Sequence, residues 1–90
     1  MSDTKELLLI VQEECAEVIQ AVSKCERFGI DNHKPGKPKT NREHLEEEVG
    51  DLLAMLDLLI EKQIVSFNNV SIAKRAKFDK LKQWSKIQIG

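Results

Sequence analysis

Aromatic residues make up only 4% of this chain, although hydrophobic content is an ordinary 41%. A core short of rings must be built from Leu, Ile and Val, which suits packed helices. The two cysteines, Cys15 and Cys25, have no C-x-x-C or C-x-x-H spacing that would suggest a thiolate metal site. Both fall on or near the apolar side of one helical pattern and are expected to be buried free thiols. There is no excess of either charge, since 14 basic and 15 acidic residues nearly cancel. That balance gives no electrostatic case for a membrane surface and disfavours nucleic acid as a partner. No apolar run approaches transmembrane length, and the polar start Met1-Ser2-Asp3-Thr4 does not resemble a secretory signal. A cytoplasmic protein is the default expectation. Repeats and low-complexity tracts are also lacking, so residues 1–90 are expected to form a single domain. A domain this small buries only a modest core and often gains stability by oligomerising.

Three helical stretches are present. Asp3-Thr4-Lys5-Glu6 offers an N-cap and an acid three residues later. From there Leu7, Ile10, Val11, Val18, Ala21, Val22, Cys25 and Phe28 recur on one side until Gly29, a natural stop. Gly29 to Arg42 is broken by Gly36, Pro35 and Pro38 and carries His33, Lys34, Lys37, Lys39 and Arg42. It reads either as a solvated basic loop or as an arm that approaches an anion or covers a pocket. Thr40-Asn41-Arg42-Glu43 forms a capping box for a second helix running to about Gln63. Ser66 caps a third, basic helix from Phe67 to Trp84, with Val70, Ala73, Leu81 and Trp84 available as its buried side. The fold class is therefore all-α, with three main helices per chain in a bundle. Leu8, Ile19, Leu53 and Ile60 lie on the flanks of the stripes, more than one small unit readily covers, so a homodimer or homotetramer is expected to complete it.

Two acid pairs break the apolar pattern. On the second helix, Leu45, Val49, Leu52, Leu56 and Leu59 make the stripe, and Glu48 falls within it, about 50° from its centre. Asp51 follows at i+3 on the edge. On the first helix Glu14 lies near the middle of the stripe and Glu17 follows at i+3. An ionised carboxylate on a buried face is costly unless it protonates, pairs with Lys or Arg, or binds a cation. Helix-dipole interactions account for Glu43, Glu46 and Glu47 near the start of the second helix, but not for Glu48. Gly50, costly in mid-helix, has a close helix–helix approach as a plausible reason.

Two helices presenting such pairs can converge four carboxylates. An all-oxygen donor set without His or Cys selects a hard ion, Mg²⁺ or Mn²⁺ in its place. A di-iron bundle would require Glu-x-x-His, which this chain lacks. Mg²⁺ with nearby lysines suits phosphate chemistry. The competing reading is a non-catalytic helical oligomerisation module whose buried acids pair with lysines of the third helix.

Glu13-Glu14-Cys15-Ala16-Glu17 followed by Glu48-Val49-Gly50-Asp51 resembles the E-E-x-x-E … E-x-x-D signature of the MazG-like, all-α nucleoside triphosphate pyrophosphohydrolases. The similarity extends over most of the chain, and its compactness resembles versions encoded by phages and mobile elements. The resemblance implies Mg²⁺-dependent cleavage of a nucleoside triphosphate substrate to a monophosphate and pyrophosphate, in a dimer or tetramer whose subunits share active sites. It implies Glu14, Glu17, Glu48 and Asp51 as metal ligands, with Lys77 and Lys80 meeting phosphates. Glu13, beside the first pair, is a candidate general base, and Glu47 is the alternative.

Overall fold

The computed structural model describes residues 2–89. It contains three helices and no strand among the described residues: α1 Asp3–Phe28, α2 Asn41–Glu61 and α3 Phe67–Trp84. No helix among them is long and apolar enough to cross a membrane. The chain divides into two compact units, Met1–Leu58 and Leu59–Gly90.

Local chemistry sets the helix ends. α1 begins one residue earlier than the Asp3–Glu6 signal suggested. Ser2 is the cap, and its hydroxyl accepts from the Lys5 N–H at 3.2 Å. Asp3 and Glu6 instead occupy the first turn, where their charge favours the helix dipole. α1 stops at Gly29, which takes φ +96° and donates its N–H to the Cys25 carbonyl at 3.0 Å. α2 opens with the expected reciprocal box. The Thr40 N–H donates to Glu43 at 3.0 Å, and the Glu43 N–H donates to the Thr40 hydroxyl at 3.1 Å. The Thr40 N–H and the Thr40 hydroxyl, both donating to the Glu43 carboxylate, hold it below its ordinary pKa.

The loop between them is tied down at its base. Asn41 and Arg42 donate their N–H groups to the carbonyls of Asn32 and Ile30, both at 2.8 Å, and Arg42 forks onto Asp31 at 2.9 and 3.3 Å. Its basic tip is bound more sparsely, with Lys39 reaching Glu47 at 2.7 Å.

In the first unit α1 and α2 form an antiparallel hairpin. The Cys25 thiol meets the Asn41 carbonyl at 3.5 Å, while further back on α1 Glu14 meets Glu48 and Asp51, further forward on α2. Many of the unit's less exposed positions share one spacing: Leu7, Val11, Glu14, Val18, Ala21 and Cys25 on α1, and Asn41, Leu45, Glu48, Leu52 and Met55 on α2. Alternating steps of four and three residues trace a single narrow seam. The inward face of α2 is therefore turned toward Glu48 and Met55, leaving Val49 and Leu56 at 38% and 37% exposure. Glu48 sits on the seam itself. Cys15, about 100° around from Glu14, is exposed rather than buried, and Cys25 is half-buried; both are free.

Among the described hydrophobic residues only Leu7, Ala21 and Leu59 are buried. Leu8, Ile19 and Leu53 are exposed as their flanking positions suggested, whereas Ile60 is half-buried. Gly50 departs from expectation, because a Cβ there would meet nothing within 4 Å. No neighbour among the described residues explains it.

In the second unit the turn after α2 is closed by Gln63, at φ +59°, donating to the Ile60 carbonyl at 2.9 Å. Ser66 caps α3, accepting from the Asn69 N–H at 3.2 Å. The expected buried side of α3 is not buried. Val70 and Leu81 are half-covered, Ala73 is exposed and Trp84 is 80% exposed. An amphipathic pattern shows which face can be covered, not whether this chain supplies the cover.

The conformation at Gly29 lies outside what a side chain adopts readily. Gly29→Ala should lower unfolding stability by about 1–2 kcal/mol in urea titration, and Thr40→Ala by about 1 kcal/mol.

Candidate functional site

The hairpin seam places acids where an apolar pair would otherwise complete it. Glu14 lies between Val11 and Val18 on α1, and Glu48 between Leu45 and Leu52 on α2. One carboxylate oxygen from each of Glu14, Glu48 and Asp51 lies within 4.8 Å of the others. Glu14 and Glu48 are half-buried, the Glu48 side chain being only 14% exposed, while Asp51 reaches solvent.

Glu14 carries the electrostatic tension. Its Oε2 is buried and has no hydrogen-bond partner. Its pKa is pushed above the ordinary glutamate value, first by burial and then by the charges of Asp51, Glu48, Glu17 and Glu13. Among the described residues of the first unit no Lys or Arg forms an ion pair with Glu14 or Asp51. Glu48 meets a nitrogen, the His44 Nε2 at 3.3 Å, four residues earlier on the same helix face. An unpartnered buried oxygen among converging carboxylates, all offering hard oxygen donors, fits a divalent cation of the Mg²⁺ or Mn²⁺ type.

The other residues singled out from the sequence are placed as follows. Glu17 is exposed and outside the three-carboxylate group, yet near enough to raise the Glu14 pKa. Glu13 is exposed beside Glu14 and acts on it in the same sense. Glu47 is exposed and held by Lys39. Lys77 and Lys80 lie exposed on α3, in the second unit. His44 was missed. A search for Glu-x-x-His passes over it, but its i, i+4 relation to Glu48 was a readable signal.

The raised Glu14 pKa fixes the sign of a pH effect. Folding favours the protonated carboxyl, so stability declines as pH rises from the ordinary glutamate range through the raised value, and the penalty persists above it. In chelator, Glu14→Gln should therefore raise Tm at neutral pH and lose that advantage toward pH of about 4. Thermal unfolding across this range checks it. A lower neutral-pH Tm for the variant would contradict it.

Comparison with known proteins adds one finding. The family model of the MazG nucleotide pyrophosphohydrolase domain matches residues 2–83. Comparisons with curated proteins and with solved structures find no match. The matched span contains both acid pairs, the connecting loop and all of α3 except its last residue. With nearly the whole 90-residue chain covered, the protein belongs to the MazG nucleotide pyrophosphohydrolase domain family.

Proposed function

We propose that the protein is a Mg²⁺-dependent nucleoside triphosphate pyrophosphohydrolase, converting an NTP or dNTP to the monophosphate and pyrophosphate. The observation that carries this reading is the carboxylate group of Glu14, Glu48 and Asp51 with its unpartnered Glu14 oxygen. Family membership supports the reaction class. Glu14, Glu48 and Asp51 would hold the cation, and Glu17 would join them by a change of side-chain rotamer. Mn²⁺ would substitute. Bound there, the ion supplies Lewis-acid polarisation of the phosphate oxygens.

The chain's own groups manage the water and the leaving group. Water attacks the α-phosphorus, and the bond from that phosphorus to the α,β-bridging oxygen breaks. Pyrophosphate departs with the bonding electron pair. Glu13 accepts the proton from the attacking water; Glu47 is the less available base because Lys39 already engages it at 2.7 Å. Lys77 and Lys80 balance negative charge on the phosphates.

Residues 1–90 act as one functional domain in this account. The exposed Ile19, Leu53 and Trp84 support a homodimer or homotetramer that covers them. Two free cysteines suit a reducing, cytoplasmic setting.

Glu48→Gln should reduce pyrophosphate release below detection. Lys80→Ala should raise KM about tenfold, the scale of one charge-assisted contact, with a smaller change in kcat. Reaction in H₂¹⁸O should place the label in the monophosphate, as attack at the α-phosphorus requires. Label in pyrophosphate, or release of orthophosphate alone, would overturn this function.

A further inference from the structure

The end of α1, the loop after it and the start of α2 border an open pocket of about 420 Å³ within the first unit. Lys24 of α1 and Lys34, Lys37 and Lys39 of the loop line it, together with Thr40 and His44 of α2, and no carboxylate does. Among the described residues Lys24, Lys34 and Lys37 form no ion pair, while Lys39 shares its charge with Glu47. Four ammonium groups gathered around one cavity with a single counter-charge repel one another and favour an anion between them. The first backbone N–H groups of α2 are already used. Those of Asn41, Arg42 and Glu43 donate to Asn32, Ile30 and Thr40. An anion here would therefore be met chiefly by lysine side chains.

The position of the pocket indicates which anion. His44 lines it and also touches Glu48, so one side chain spans the basic pocket and the acid group. The two residues are one helical turn apart, about 6 Å along the axis. A phosphate at the carboxylates would leave the next groups of a polyphosphate chain beside His44 and the lysines. Resting on the pyrophosphohydrolase reading above, we propose that this pocket holds the β- and γ-phosphates of the substrate and, after cleavage, the pyrophosphate product. The loop is then a clamp on the leaving group, acting in addition to Lys77 and Lys80.

Two measurements on the full chain test this. The first is calorimetric binding of inorganic tripolyphosphate in chelator, which needs neither metal nor turnover. The second is inhibition of nucleotide cleavage by added pyrophosphate. The variant is Lys34→Ala/Lys37→Ala, both residues being exposed. The control is Lys5→Ala/Lys62→Ala, which removes the same charge elsewhere. Both readouts should weaken about tenfold or more in the loop variant and stay within about twofold in the control. Equal weakening in both variants would reduce the effect to overall charge and overturn the pocket. Cleavage with unchanged pyrophosphate inhibition in the loop variant would overturn the pocket alone. Loss of tripolyphosphate binding in a protein that cleaves no NTP would overturn the pyrophosphohydrolase reading and the substrate assignment together.

Discussion

The first unit depends on how it tolerates a half-buried glutamate facing two further carboxylates. Glu14, Glu48 and Asp51 lie within 4.8 Å of one another, and Glu14 has an oxygen with neither water access nor a hydrogen-bond partner. Left ionised and alone, such a group destabilises the hairpin; protonated, it loses the charge that attracts a cation. The raised Glu14 pKa records that conflict. His44 meets the group only at Glu48. The remaining deficit of positive charge is what a divalent cation would supply.

The scaffold around this point is slender. A single antiparallel seam supplies most of the burial in the first unit, and only three hydrophobic residues are buried among those described. The seam's regular spacing nevertheless places Glu14 and Glu48 face to face without help from a loop. Asp51, one turn after Glu48, comes from the seam's edge and so keeps access to solvent. The neighbouring loop adds charge of the opposite sign. Its base is pinned by the Asp31–Arg42 fork and by backbone bonds, while its lysine-bearing tip borders the pocket next to His44. Acid seam and basic loop together divide the hairpin into two regions of opposite charge, an arrangement suited to a metal–polyphosphate ligand.

Features governed by short-range chemistry were legible in the sequence. Thr40 and Glu43 cap each other, Gly29 ends α1 and Ser66 starts α3, because each needs only neighbours three or four residues away. Competition between adjacent caps was harder to read, and Ser2 prevailed over Asp3. Periodicity marked Glu14 and Glu48 as core-facing acids, but not the rotation of α2 that sets Glu48 on the seam. That rotation follows from having one partner helix in the unit and a contact line too narrow to cover Val49 and Leu56. The burial expected for Cys15, Ala73 and Trp84 was a statement about faces, and all three are exposed. The pinning of the loop rests on bonds between residues nine to twelve apart, which local pattern does not encode.

The central claim is that the three carboxylates form a cation site completed by substrate phosphates. Electron paramagnetic resonance of Mn²⁺ with an α,β-methylene nucleoside triphosphate tests it most directly, since the analogue cannot be cleaved at that bond. The account predicts bound Mn²⁺ whose spectrum requires both protein and analogue, with the bound signal lost in Glu14→Gln and Glu48→Gln. Mn²⁺ that binds equally well to these variants, or that gives the same spectrum with analogue alone, would contradict it.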